Sequence, residues 1–144
     1  MITTKWSIGK EDLTDCHYIR RKVFVEEQNV PEELEIDDTD EEAVHLVVYD
    51  GDSPIATGRL IFEDNKVYLS RIAVLEEHRN KKYGDFVVRL LIRRAFDMGQ
   101  ERQYIHSQIS AKRFYEKLGF VEYGEIFLEA GLPHVNMYHD GDVT

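Results

Sequence analysis

The chain has 144 residues and carries 28 acidic side chains against 18 Lys and Arg, a formal net charge of −10. This length predicts one domain, spanning residues 1–144, with a full hydrophobic core. The negative charge argues against nucleic acid as a partner, because such binding depends on phosphate neutralisation by Lys and Arg. No apolar run approaches the ~20 residues of a membrane helix, and the N-terminus lacks the apolar block of a secretory signal, so we expect a cytoplasmic protein without a membrane partner.

The charge is unevenly distributed along the chain. Residues 26–42 contain ten carboxylates and no Lys or Arg, whereas residues 71–102 contain eight Lys or Arg against five carboxylates. The basic segment suits a polyanion and the acidic segment suits a cation. The simpler interpretation of the acidic run, which we favour from the sequence, is a solvated loop.

Cysteine and histidine usage limits the chemistry. Cys16 is the single cysteine, so no internal disulfide can form, which fits a reducing compartment. The six histidines show no metal-ligand spacing, so we expect no metal.

Hydrophobic periodicity and turn residues predict alternating strands and helices without an internal repeat or linker. No helix separates the three middle strands, which excludes a doubly wound dinucleotide fold and gives the order β-α-β-β-β-α-β-α-β-β. The predicted elements are strands at 2–6, 43–49, 55–62, 67–74, 103–107, 120–128 and 135–138, and helices at 10–25, 86–98 and 111–118.

The segment Ser70–Gly84 is the most informative in the sequence. It runs from an apolar strand through a basic loop to the start of an amphipathic helix. A helix N-terminus offers unpaired N–H groups with partial positive charge to an approaching phosphate, so this loop predicts a pyrophosphate cradle. Taken alone, the Arg79–Gly84 loop is a weak signal, and a solvated basic turn with a favourable cap is then the favoured interpretation.

A second segment follows at Phe114–Phe120, with the sequence FYEKLGF, and the two segments in this order resemble the acyl-CoA-binding core of the GNAT superfamily of N-acyltransferases. The segment Arg20–Pro31, together with Asp37, Asp38 and His45, resembles a small bacterial single-domain subgroup of that superfamily with largely unassigned substrates. The resemblance therefore covers essentially the whole chain.

The resemblance implies an α+β fold with α/β/α layers. The sheet would be mixed and mainly antiparallel, with about seven strands, and splayed between strands four and five. It also implies acetyl-CoA as the acyl donor. Dimers are frequent in the superfamily, so a homodimer is one expectation, while the sequence leaves the oligomeric state open.

In the superfamily, the corresponding loop has a six-residue motif: Gln or Arg, any two residues, Gly, any one residue, and then Gly or Ala. Arg79 and Gly84 match the ends, but Lys82 stands where the first glycine is expected. Glycine serves there because the backbone approaches the pyrophosphate and can need a positive φ; lysine can adopt such a φ at a cost of about 1 kcal/mol. The cofactor-binding residues implied are Ile72, Ala73, Val74, Arg79, Asn80, Lys81, Lys82, Tyr83, Gly84, Asp85 and His106.

The resemblance implies two catalytic residues. Tyr115 lies on the helix that flanks the thioester sulfur in the family, where its phenol would protonate the departing thiolate. His134, in a Pro-His context on the terminal strand, would take the proton from the attacking amine. The alternatives are a core tyrosine and a hydrogen-bonded strand histidine.

In GNAT folds the first helix and the following loop cover the acceptor pocket, which makes Arg20, Glu27 and Arg71 candidate acceptor contacts. Arg20 and Arg71 would bind a carboxylate or phosphate, whereas Glu27 would hold an amine. A buried pair between Arg20 and Glu27 that shapes the helix-loop junction is the alternative.

The leading hypothesis is therefore direct transfer of an acetyl group to a primary amine of a small molecule or peptide in a ternary complex. Cys16 is far in sequence from the cradle, which disfavours a covalent acetyl-enzyme. A GNAT-fold sensor that binds acyl-CoA without turnover, motivated by Lys82, and a domain for another nucleotide phosphate are the alternatives.

Overall fold

The computed structural model describes residues 1–143, and seven strands form one sheet in the order β1-β2-β3-β4-β5-β7-β6. Neighbouring strands are antiparallel except for β4 and β5, which are parallel. The strands are β1 (Ile2–Ile8), β2 (Val44–Asp50), β3 (Ser53–Glu63), β4 (Lys66–Val74), β5 (Arg102–Gln108), β6 (Val121–Glu129) and β7 (Leu132–Asp140). The predicted mixed sheet and its element order are confirmed.

Helices cover both faces of the sheet, which confirms the predicted α/β/α layering. The helices are α1 (Thr14–Arg20), α2 (Glu32–Glu35), α3 (Tyr83–Asp97) and α4 (Lys112–Lys117). A seven-residue π-helical segment, Arg21–Glu27, continues α1. No helix within residues 1–143 is both long and apolar enough to cross a membrane.

The first helix begins later than the sequence predicts, at Thr14 rather than near Lys10. The carboxylate of Asp12 accepts hydrogen bonds from the Thr14 backbone N–H at 3.0 Å and from its hydroxyl at 2.5 Å. Such local side-chain bonds stabilise a turn at the expense of helix, which fixes the start of α1 after Asp12.

The larger part of the core lies between the sheet and the helices α3 and α4. Close contact is possible because β3 carries Gly58 beneath α3: a Cβ atom there would be 2.7 Å from both Leu91 Cδ1 and Val87 Cγ1. A smaller apolar cluster on the opposite face joins α1 to β2 and β4 through Ile19, Val47 and Ala73. The sheet is therefore fixed on both faces near the end of β4.

Candidate functional site

The site begins where β4 and β5 separate. The two strands pair only from Val67–Gln103 to Leu69–Ile105, and the remaining part of β4 has no partner on that side. A β-bulge accompanies the separation: β3 pairs Thr57 with Ala73 and Arg59 with Ser70, so Gly58 faces two residues, Arg71 and Ile72. The predicted splay between strands four and five is confirmed.

The bulge leaves backbone donors in the gap. The N–H of Leu75 donates to the carbonyl of Ile55 on β3 at 2.9 Å. Because backbone groups alternate in direction along a strand, the N–H of Ala73 also points to β3, whereas those of Ile72 and Val74 point into the gap. Ala73 contributes its small side chain to the α1 side of the sheet instead.

The loop before α3 has the backbone of an anion cradle. Asn80 has φ 64° and Lys82 has φ 66°, so Lys82 takes the left-handed conformation for which the superfamily uses glycine. Lys82 is the N-cap of α3, and no side chain caps the helix. The first N–H groups of α3, at Tyr83, Gly84 and Asp85, therefore remain available to a phosphate.

Arg79 is engaged within the protein. Its Nη1 and Nη2 donate to the two carboxylate oxygens of Glu27 at 2.7 and 2.8 Å, and its Nε donates to the carbonyl of Val74 at 3.0 Å. Arg79 thus ties the loop before α3 to the end of β4 through Val74, and to the π-helical segment through Glu27, a predicted acceptor contact. Lys81 and Lys82 are exposed, and they remain the cations open to phosphate at this loop.

Three predicted segments meet beside the gap. A Cβ atom on Gly84 would be 3.4 Å from the Phe114 ring and 3.9 Å from Val74 Cγ2, so α3, α4 and β4 are in contact. Tyr115 follows Phe114 on α4 and packs edge-on against Phe114 and Phe120. Burial raises the pKa of the Tyr115 phenol, which keeps its proton in place at neutral pH.

A carboxylate that the sequence analysis did not identify joins two predicted histidines. Glu129 Oε1 accepts a hydrogen bond from His106 Nδ1 at 3.0 Å, and its Oε2 lies 3.6 Å from His134 Nε2. The hydrogen bond from His106 holds the pKa of Glu129 below its usual range. His106 lies immediately after the last β4–β5 pair, which places this cluster at the start of the gap.

The orientation of His134 follows from its partner. Its Nδ1 is 2.8 Å from the carbonyl of Leu132, and because a carbonyl only accepts, Nδ1 carries the proton. The neutral ring then has its lone pair on Nε2, the nitrogen near Glu129. The Nε2 atom of His134, the nitrogen without the proton, therefore lies beside a carboxylate.

The acidic segment is not simply a solvated loop, which corrects the interpretation made from the sequence. Glu35 and Asp40 are buried and bind arginines from distant parts of the chain. Asp40 Oδ1 accepts from Arg20 Nη1 at 2.8 Å and from Arg59 Nη1 at 2.9 Å. Glu35 Oε2 accepts from Arg20 Nε at 2.8 Å.

The candidate acceptor residues Arg20 and Arg71 therefore have different surroundings. Arg20 is 1% exposed and enclosed by Glu35 and Asp40, so the buried pair foreseen for Arg20 exists with these partners and not with Glu27. Arg71 has φ 52° in the bulge, and 30% of its side chain is exposed. Of the two arginines, Arg71 is the one that an acceptor can reach.

A protein-family model described as "Acetyltransferase (GNAT) domain" matches residues 9–140 of the chain. The chain belongs to the GNAT acetyltransferase family. Its relative YjcF of Bacillus subtilis (strain 168), described as an uncharacterized N-acetyltransferase, is 42% identical over 133 residues, which cover 92% of this chain and 95% of that protein. The enzyme class supported by the family and its relatives is N-acetyltransferase.

Solved structures share the GNAT fold over nearly the whole chain. An acyl-CoA N-acyltransferase from Pseudomonas aeruginosa superposes with a TM-score of 0.88 at 22% identity, covering 96% of this chain and 99% of that one. A GNAT family acetyltransferase from Elizabethkingia anophelis with acetyl-CoA bound gives a TM-score of 0.72 at 16% identity, covering 96% and 97%. These likenesses establish the fold.

Loss of the Asp40 carboxylate is predicted to destabilise the fold, because it would leave buried guanidiniums without their partner. Asp40→Asn should lower the free energy of unfolding by about 3–5 kcal/mol, because it removes the carboxylate that two buried guanidiniums share. Although burial opposes it, hydrogen bonds from His17 and Arg20 hold the pKa of Asp40 well below its usual range. The unfolded chain takes up this proton near pH 4, so the wild type should lose this stabilisation progressively as the pH falls below about 4.

Urea unfolding of wild type and Asp40→Asn across pH 3–7 measures both effects. The exposed Asp38→Asn removes the same charge from the same turn and should change the unfolding free energy little. Equal losses in the two variants would contradict the role given to Asp40.

The left-handed backbone conformation of Lys82 is predicted to destabilise the folded protein. Lys82→Gly should raise the free energy of unfolding by about 1 kcal/mol, because glycine adopts φ 66° without strain. Lys82→Ala keeps the strained backbone and removes the ammonium, so it serves as the matched control. Thermal unfolding checks the stability, and no difference between the two variants would contradict strain at this residue.

Proposed function

We propose that this GNAT protein transfers the acetyl group of acetyl-CoA to a primary amine by direct attack in a ternary complex. The observation that carries the proposal is the gap between β4 and β5, which opens beside the uncapped N-terminus of α3. Acetyl-CoA brings an activated acetyl group as a thioester. The protein's part is to bind it, position the amine and move protons.

The residues fit acetyl-CoA at both ends. The free N–H groups at the start of α3, with Lys81 and Lys82, suit a pyrophosphate. The unpaired edge of β4 offers its backbone to the amide groups of a pantetheine arm, in the way an added strand pairs with a sheet edge. The N–H groups of Ile72 and Val74 point into the gap and would stabilise negative charge on a carbonyl oxygen there.

Protons move through groups on either side of this gap. A primary amine has a pKa of about 10 and must lose a proton before attack. His134 accepts that proton at Nε2, and Glu129, 3.6 Å away, stabilises the resulting positive ring. Tyr115, whose phenol stays protonated, donates to the departing thiolate.

Direct attack is favoured over a covalent acetyl-enzyme by the state of Cys16. This side chain is 1% exposed, and burial raises the pKa of its thiol to about 11. A buried neutral thiol is a poor nucleophile. The hypothesis of an acyl-CoA sensor without turnover was based on Lys82 in place of the motif glycine. It loses support, because Lys82 adopts the left-handed backbone conformation that glycine would adopt.

The proposed roles predict distinct kinetic effects of two variants. Tyr115→Phe should lower kcat by about tenfold or more and His134→Gln by about 100-fold, since each removes a proton-transfer group, while the KM for acetyl-CoA stays near that of wild type. Thiol release from acetyl-CoA across an amine panel measures the rates. Tyr18→Phe, an exposed tyrosine on α1, is the matched control.

Two results would contradict the proposal. Wild-type rates in Tyr115→Phe would remove Tyr115 from the mechanism. Calorimetric binding of acetyl-CoA by the wild type, with no thiol release for any amine, would instead favour a sensor.

A further inference from the structure

The guanidinium of Arg71 is incompletely paired, although it lies in the most constrained part of the sheet. Its Nε lies 2.8 Å from Glu35 Oε2, yet the N–H is not aligned with that oxygen, and Nε has no hydrogen-bond partner within residues 1–143. Over the same residues its other nitrogens make one hydrogen bond, from Nη2 to the carbonyl of Leu34 at 3.4 Å. Most of the five N–H donors of this side chain are therefore open.

Glu35 neutralises Arg71 only in part. The same oxygen, Oε2, also accepts from Arg20 Nε at 2.8 Å, so two guanidiniums compete for it. Asp40, the other buried carboxylate, is occupied by Arg20 and Arg59. The buried cluster thus joins three guanidiniums to two carboxylates, and Arg71 is its most exposed cation.

The opposite charge lies across the gap. Glu129, at the end of β6, is half exposed and sits beside the proton acceptor His134. The last β4–β5 pair is Leu69–Ile105; Arg71 lies two residues beyond it on β4, and His106, which binds Glu129, lies one residue beyond it on β5, so Arg71 and Glu129 flank the start of the gap. They do not pair: no ion pair within 4.0 Å joins them among the described residues.

We propose that the acceptor is a small zwitterion, an amino acid whose carboxylate binds Arg71 while its amine lies at Glu129 and His134. This inference rests on the proposed function and names the substrate class. A guanidinium binds a carboxylate through two parallel N–H···O bonds, and Arg71 has donors free for them. The buried cluster has one more positive charge than negative, and a single carboxylate would balance that excess. A phosphate would instead add up to two negative charges to a site that already contains Glu129.

Part of the acidic segment is unavailable to a polyamine acceptor. Glu35 and Asp40 are turned inward to the arginines, and Glu27 and Glu32 pair with Arg79 and Arg21. These carboxylates are committed within the fold.

The test compares matched acceptors in wild type and variants. Thiol release from acetyl-CoA is measured with the common amino acids, their carboxamides, phosphoethanolamine and spermidine. We expect kcat/KM for the best amino acid to exceed that for its carboxamide by about 10- to 100-fold, the range of a charge-assisted hydrogen-bonded pair. Arg71→Gln should abolish this preference, and Arg71→Lys should retain part of it.

Controls separate binding from folding. Lys5→Gln removes one positive charge from the distant edge strand β1 and should keep the full preference. The KM for acetyl-CoA and the melting temperature of Arg71→Gln should stay close to wild type, because Glu35 keeps Arg20 as its partner.

Several outcomes would overturn the assignment. Carboxamides or spermidine accepted as well as amino acids would refute it, as would an unchanged preference in Arg71→Gln. Faster acetylation of phosphoethanolamine would replace the carboxylate with a phosphate and also overturn it. These results leave the proposed function intact. Thiol release with none of these amines would also overturn the assignment, whereas the proposed function itself fails only if acetyl-CoA does not bind or no amine of the wider panel, peptide amines included, releases thiol.

Discussion

The structure depends on the β-bulge at Arg71. Two residues of β4 lie opposite Gly58, so the strand bends and its pairing with β5 stops after Leu69–Ile105. Without the bulge, β4 and β5 could continue as a regular parallel pair, and the N–H groups of Ile72 and Val74 would be used in the sheet. One irregularity therefore creates both the gap and its free backbone donors.

Buried ion pairs hold this irregular backbone in place. Arg59 donates from Nε to the hydroxyl of Ser70 at 3.0 Å and from Nη1 to Asp40, which ties the strand just before the bulge to the acidic segment. Replacing such a network with apolar residues often costs little, so its presence is weak evidence of a role in stability alone. Here it places one guanidinium, that of Arg71, at the edge of the gap, where we propose that it binds the acceptor.

The sequence predicts the regular part of this architecture well, because strands and helices follow hydrophobic periodicity. The positive φ of Lys82 was also foreseeable, since lysine stands where the motif requires a glycine backbone. The buried state of Glu35 and Asp40 was not, because among ten neighbouring carboxylates nothing local distinguishes the two that meet arginines from elsewhere in the chain. Glu129 was not predicted either, because nothing in the local sequence marks it. It comes close to His134 only when β6 and β7 pair.

Binding of acetyl-CoA by the gap and the loop before α3 together is the proposal on which the other assignments depend. Hydrogen exchange of the backbone amides, followed by mass spectrometry with and without acetyl-CoA, tests it most directly, because it reads the two segments separately. We expect bound acetyl-CoA to slow exchange in residues 71–75 and 82–86 and to leave exchange in the edge strand β1 unchanged. Saturating acetyl-CoA that leaves residues 71–75 and 82–86 unprotected, or that slows exchange only elsewhere, would contradict it.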